Sequence, residues 1–283
     1  MNINIKGLEF GYSGVPVLND VTFDINCPQL VAILGPNGVG KSTLIHCMNK
    51  ILEPSAGSVI INDKEVSNYS LKNLAKIIGY VPYASSDSFP MTVVDTVLLG
   101  RHPHSNWRSI DNDLNYVFNT LKLLGIDDLA MRPFNELSAG QHQKVMLARG
   151  LVQEPQILLL DEPTANLDVK HQIEVTRMLR DLSKSKQIII IMICHDLNIA
   201  AKYADNIIMM HEGSIFAVGP ASEVITESNI REVYEIDSKI ITDMGRPHVI
   251  LRDDVDVNQK IDIPKEQTSS IYIENKIKDP STV

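Results

Sequence analysis

From Asn2 to Tyr12 apolar residues (Ile3, Ile5, Leu8, Phe10) are interleaved with polar ones, and from Val15 to Ile25 the alternation resumes with Val17, Leu18, Val21, Phe23 and Ile25. Such alternation buries one strand face and wets the other, so it predicts an N-terminal antiparallel sheet. Three other runs, Leu30 to Leu34, Ile157 to Leu160 and Ile188 to Ile193, are apolar throughout. Continuous runs of that length fit central strands of a parallel sheet, covered on both faces. Gly57 to Ile61, with a turn at Asn62-Asp63, and Ile77 to Val81, ended by Pro82, are further strands. The hairpin Asn206 to Met210 and Ser214 to Val218 turns through Glu212-Gly213.

Helical spacing takes over between these strands. Leu44, Ile45, Cys47, Met48, Ile51 and Leu52 recur at helical intervals until Glu53-Pro54 closes the segment. From about Tyr83 to Leu151 helical periodicity dominates, with an apolar stripe of Leu114, Val117, Phe118, Leu121 and Leu124 that stops at Gly125. A helical insert over about 84–151 between two sheet halves follows. Ser222 to Glu235 predicts one short helix, and past Asp253 the pattern fades into a polar tail. The prediction is an α/β fold, with a central mainly parallel sheet, an antiparallel β-subdomain and a helical insert in residues 1–250, and a polar tail over 251–283.

The chemistry gathers where strands end. Leu30 to Leu34 leads into Gly35-Pro36-Asn37-Gly38-Val39-Gly40-Lys41-Ser42-Thr43, with a helical pattern behind it. A loop that wraps a polyphosphate must point backbone N–H groups inward, where side chains would block the approach, and glycine permits this. Lys41 adds a point charge, Ser42 a hydroxyl for Mg²⁺, and the following helix its positive dipole end. A nucleoside triphosphate site is expected. Ile157 to Leu160 ends in Asp161-Glu162-Pro163, and Ile188 to Ile193 runs into Cys194-His195-Asp196. Ligands of open α/β sheets collect at the carboxyl ends of the strands, so three stretches converge on one edge. Leu137-Ser138-Ala139-Gly140-Gln141 precedes Val145, Leu147, Ala148 and Leu151, which makes Ser138 either an anion site or a plain helix cap. Tyr12, just past the first strand, either stacks on a base or packs on its own sheet.

Composition narrows the classes. With 26 Lys and Arg against 35 Asp and Glu, the formal charge of -9 argues against a general nucleic-acid binder. Cys27, Cys47 and Cys194 are widely spaced, without a Cys-x-x-Cys pair, and read as reduced thiols. The apolar runs are too short to span a bilayer, so any membrane connection is expected to come through a partner. Arg101-His102-Pro103-His104 with Trp107 has no acidic or cysteine partners clustered nearby for a metal, and is expected to be an exposed, partner-facing loop.

Taken together, the phosphate loop, Leu137 to Gln141, Asp161-Glu162-Pro163-Thr164, Asn166-Leu167-Asp168 and His195, in that order, resemble the ATP-binding subunits of ABC transporters up to about Val249. The stretch Val94 to Trp107 is similar to the subgroup that energises import of iron-siderophore, haem and cobalamin complexes. The resemblance implies a P-loop ATPase that works as a head-to-tail homodimer, one subunit's phosphate loop and the other's Ser138, Gly140 and Gln141 enclosing each ATP. It implies Lys41 on the terminal phosphates within a cradle from Gly35 to Thr43, Tyr12 on adenine, Ser42 and Asp161 on Mg²⁺, and Glu162 as general base. His195 would contact the γ-phosphate and Asp168 would link the two sites. The implied partners are integral membrane permease subunits and an extracytoplasmic substrate-binding protein, with the chain on the cytoplasmic face of the membrane and no nucleic acid.

Two residues depart from the family pattern. Ala139 stands for a glycine, a change that an N–H-based site should tolerate. Tyr83 follows Gly79-Tyr80-Val81-Pro82 where the family carries a metal-touching glutamine, and a phenol is a poor Mg²⁺ ligand at neutral pH. A second class, the same ATPase chemistry serving DNA repair, iron-sulfur assembly or translation, lacks support from a long coiled coil, zinc-type cysteine pairs, a basic patch or a second cassette. A nucleotide-binding regulator without turnover is disfavoured by Glu162 and His195.

Overall fold

The computed structural model of the chain describes residues 1–83, 91–104 and 110–252. Strands β1 (Ile3–Tyr12) and β2 (Val15–Ile25) form the expected antiparallel hairpin, with Ile3 opposite Ile25 and Ile5 opposite Phe23. The fully buried β3 (Leu30–Leu34) feeds the glycine loop and α1 (Lys41–Met48). Strands β4 (Ala56–Ile61) and β5 (Lys64–Glu65) complete a four-stranded sheet in the order β2-β1-β4-β5. After α2 (Leu71–Leu74), capped by Ser70, β6 (Ile78–Val81) enters the second sheet.

The insert then contributes α3 (Val93–Leu98), α4 (Ile110–Leu123) and α5 (Ala139–Leu151) before β7 (Ile157–Leu160) returns to the sheet. Next come α6 (Val169–Lys186), β8 (Ile189–Ile193), α7 (Leu197–Tyr203) and the hairpin β9 (Asn206–His211) with β10 (Ser214–Gly219). Helices α8 (Ala221–Val224) and α9 (Glu227–Tyr234) precede a second hairpin, β11 (Ser238–Asp243) and β12 (Arg246–Leu251). The central sheet runs β10-β9-β3-β8-β7-β6, parallel from β9 to β6, with β10 antiparallel at the edge.

Why continuous apolar runs are needed here is visible in the cores. Leu30, Ala32 and Leu34 of β3 face one buried cluster, shared with the helices, while Val31 and Ile33 face another, shared with α1 and the antiparallel sheet. Strands β7 and β8 alternate in the same way. Both faces of the central sheet are thereby covered, and no polar position is tolerated along these strands.

Three expectations are corrected. Helix α4 buries Val117 and Leu121, and Leu124 just past its end is buried too, but Phe118 is 46% exposed and Asp113 is buried. The reason is Arg101, expected in an exposed loop and found only 6% exposed. Its Nε donates to Asp113 Oδ1 at 2.9 Å, its Nη1 to Val152 O at 2.9 Å, and the guanidinium lies 4.1 Å from the Tyr116 ring centre. A buried guanidinium demands such partners, and the helix turns its carboxylate inward to supply one. His104 likewise bonds through Nε2 to Gln153 O at 3.0 Å, while Trp107 lies outside the described residues. Lastly, the expected single helix over Ser222 to Glu235 is two, broken at Ile225 and Thr226, where Thr226 caps α9 by accepting from Asn229 N.

Close backbone packing fastens this corner of the insert. A Cβ on Gly100 would lie 2.2 Å from Arg149 O, and one on Gly150 would lie 2.9 Å from Val81 Cγ2. The carboxyl end of α5 thus sits against both the turn at Leu99–Arg101 and strand β6.

Candidate functional site

The parallel strands β3, β7 and β8 all end on the same edge, and they deliver the glycine loop, Asp161-Glu162 and His195 there. The loop turns at Gly40, whose φ of 101° excludes ordinary side chains and whose missing Cβ would stand 2.8 Å from Leu18 Cδ2. Gly35 is constrained as well, since a Cβ there would meet Met210 O at 2.5 Å. Pro36 is half-buried and Asn37 and Gly38 are exposed, while Val39 and Thr43 are buried and hold the loop to the fold.

Lys41 is 6% exposed, and its Nζ donates to Gly35 O at 2.8 Å and Pro36 O at 2.7 Å. Burial pushes its pKa down, while the nearby Glu162 and Asp161 carboxylates push it back up. The loop therefore closes around its own ammonium group. Ser42 Oγ donates to Asp161 Oδ1 at 3.1 Å across the space between α1 and β7. Burial raises the Asp161 carboxyl above its usual range, against the Ser42 hydrogen bond that favours the ionised form. One hydroxyl and one carboxylate oxygen so placed are the hard donors that Mg²⁺ takes, so the residues fit that ion. Among the described residues no group of three or more His, Cys, Asp or Glu side chains forms a further metal cluster.

Beyond β7, Glu162 adopts a left-handed backbone, φ 50°, and its Oε1 lies 2.6 Å from His195 Nε2. Both side chains are partly open to solvent, at 26% and 42%. Asp168 caps α6 by accepting from His171 N at 2.9 Å, and its Oδ1 also meets His171 Nδ1 at 2.8 Å. Those hydrogen bonds from His171, backbone first, hold its carboxyl below the usual range.

The stretch Leu137 to Gln141, hereafter the signature, is organised differently. Ser138 caps α5, accepting from Gln141 N at 3.4 Å, while Gln141 Oε1 accepts from Ser138 N at 3.1 Å, a closed capping box. Gly140 is buried against the His171 ring, where a Cβ would lie 2.7 Å from Cδ2. A cleft of about 230 Å³ runs between Leu137, Ala139 and His142 on one side and Tyr83, Glu162 and Asn166 on the other, and no residue of the phosphate loop lines it. Tyr12 is 49% exposed and stands edge-on to Phe10, with ring centres 4.9 Å apart, so the ring both rests on its own sheet and keeps a free face.

Sequence reasoning missed the groups that brace these residues. His46 Nε2 meets Tyr80 Oη at 3.0 Å behind the Ser42 and Asp161 pair, and burial, reinforced by Asp161, raises the Tyr80 phenol to about 12. Tyr234, on α9, is also raised to about 12 by burial, against a hydrogen bond from the Gly35 backbone. Nothing in local spacing announces these partners, because each pair joins separate elements. Asn166, with φ 60°, donates through Nδ2 to Tyr83 Oη at 3.3 Å.

Residues 18–165 match the ABC transporter family. The chain is 47% identical over 250 residues to an ABC transporter ATP-binding protein of Methanocaldococcus jannaschii, which covers 88% of this chain and 98% of that one. It is 35% identical over 244 residues to the iron(3+)-hydroxamate import ATP-binding protein of Bacillus subtilis, with 86% and 91% covered. Among solved structures, an inward-facing transporter described as of metal-chelate type superimposes with a TM-score of 0.78 at 27% identity, over 89% of this chain and 97% of its own. The glycine loop, the carboxylates at the strand ends and these likenesses together assign the chain to the ABC transporter family, as an ATP-binding subunit that hydrolyses ATP.

Proposed function

We propose that this ATPase drives import of a metal chelate of the iron-siderophore, haem or cobalamin type. The observation that carries the proposal is the likeness, over nearly the full length of both chains, to an iron-hydroxamate import subunit and to a metal-chelate type transporter. No helix among the described residues is long and apolar enough to cross a membrane, so the reading assigns passage of the cargo to integral permease subunits and its delivery to an extracytoplasmic binding protein. The chain would then sit on the cytoplasmic face of the membrane. Residues 1–250 act in this reading as the ATPase domain, with the helical insert of 84–151 facing the permease.

Within the site, backbone N–H groups inside the loop from Gly35 to Thr43 cradle the phosphates, and Lys41 exchanges the carbonyls of Gly35 and Pro36 for phosphate oxygens. Ser42 and Asp161 would hold Mg²⁺, which would supply positive charge against the phosphates. Glu162 takes a proton from the attacking water at its carboxylate, while His195, held 2.6 Å away, contacts the γ-phosphate. The water oxygen bonds to the γ-phosphorus as the bond from that phosphorus to the bridging oxygen breaks, and ADP and phosphate leave. Tyr12 stacks on adenine. Ser138, Gly140 and Gln141 of a second copy close the site in a head-to-tail homodimer, with Asp168 linking the two halves.

Uptake decides the matter. Cells lacking this chain should fail to accumulate one of labelled ferric siderophore, haem or cobalamin, and regain it with the intact gene. Unchanged uptake of all three would overturn the cargo class. Membrane recruitment by a co-expressed permease separates an importer from a soluble ATPase machine.

A further inference from the structure

The residue that departs most from the family pattern has a partner. Tyr83 lies just past β6, with its ring 48% exposed, and its hydroxyl accepts from Asn166 Nδ2 at 3.3 Å. Asn166 occupies a left-handed turn, φ 60°, between Glu162, itself left-handed at φ 50°, and Asp168 at the cap of α6. Among the described residues that side-chain hydrogen bond joins the end of β6 to the turn itself, while the backbone contact beneath it, Asp161 N to Val81 O at 3.0 Å, precedes the turn. Tyr83, Asn166 and Glu162 also line one wall of the cleft that faces Leu137 and Ala139.

We infer that the Tyr83 hydroxyl is a positioning group for hydrolysis: it latches the Glu162 to Asp168 turn, through Asn166, to the end of β6. The Tyr83 side chain spans from the entry of the helical insert to the turn that presents Glu162, so the insert and the base are coupled by one hydrogen bond. Left-handed residues lacking such a tie are free to relax, which would let Glu162 drift from the position of the attacking water. The inference rests on Glu162 acting as the base.

The test uses the purified full chain, with steady-state ATP hydrolysis in Mg²⁺. Tyr83→Phe removes the hydroxyl alone, and Asn166→Gly removes the amide while keeping a residue at ease with positive φ. Each should lower kcat about 3- to 10-fold, the range of one lost hydrogen bond, with KM for ATP within about twofold of the parent. The double variant should fall no further than the lower single, since the two side chains act as one unit. The apparent Mg²⁺ requirement of Tyr83→Phe should stay unchanged. A kcat for Tyr83→Phe equal to the parent, effects that multiply in the double variant, or a raised Mg²⁺ requirement would each overturn the latch. Glu162→Gln run alongside separates the failures: if it hydrolyses ATP normally the base assignment falls, and if it is inactive while Tyr83→Phe is unaffected only the latch falls.

Discussion

The phosphate loop and the signature stretch are both glycine-containing helix beginnings, yet they are built in opposite ways. The loop is set between β3 and α1, with Lys41 buried and bonded to Gly35 O and Pro36 O. The signature lies on the surface, Ser138 and Ala139 are exposed, and its polar groups are satisfied by the Ser138 and Gln141 capping box. On the proposed reading the first is a cradle made ready within one chain, in which a phosphate would need only to displace two carbonyls from an ammonium. The second presents a helix end outward and gathers nothing from its own phosphate loop, as the lining of its cleft shows. Binding should therefore belong to the chain alone, and turnover to an assembly.

The sharpest way to break this contrast is Glu162→Gln, which should keep nucleotide affinity and cut turnover by about 100-fold, the scale of a lost general base. Near-normal hydrolysis would remove Glu162 from the chemistry. Next in size, Lys41→Ala should weaken ATP binding about 10- to 100-fold in a titration, as for loss of a charge-assisted hydrogen bond, whereas unchanged affinity would refute the cradle. Ser138→Ala should leave binding within twofold and lower kcat about 3- to 10-fold, by loss of one cap and one phosphate contact. For the parent, turnover per chain should rise with chain concentration while affinity does not; flat turnover would place the whole site in one copy.

The smallest effect separates folding from function at the loop. Burial raises the Asp161 carboxyl in the native chain above its ordinary 3.8, so the native state binds more protons than the unfolded one between that value and the raised one. Stability falls as pH rises through this window, and the penalty is fully present above it. Asp161→Asn should therefore melt at a slightly higher temperature than the parent near pH 7.5, without metal or nucleotide, and lose the advantage as pH falls toward 4. A lower melting temperature at pH 7.5 would show that the Ser42 hydrogen bond outweighs the burial.

The sequence carried the fold because the fold is written locally: alternation in β1 and β2, unbroken apolar runs in β3, β7 and β8, and punctuation by Pro82 and Gly125. The residues at the strand ends were legible for the same reason, since a loop and the strand before it are neighbours in sequence. What stayed hidden is tertiary pairing. Arg101 looked like a surface residue until Asp113 and the Val152 carbonyl were brought to it, and Phe118 looked like core but stands exposed, the inward face of α4 being held by Asp113, Val117 and Leu121. Asn166 and Tyr83, 83 residues apart, share no pattern that spacing could reveal. The hairpin of β11 and β12 was missed because its positions are mostly solvent-facing.

The close packing at Gly100 and Gly150 sets the mechanics of the insert. With Arg149 and Gly150 pressed against a turn and a strand, a tilt of the insert would pivot at the carboxyl end of α5 and carry Ser138 at the far end of the arm. A helix of this length puts the tip about 18 Å from the pivot, so a tilt of about 5° swings Ser138 by about 1.5 Å. Small angular changes of the insert would thus be enlarged at Ser138, the position that the proposed function sets against a phosphate. A methyl group at Gly100 would jam the pivot without touching the site.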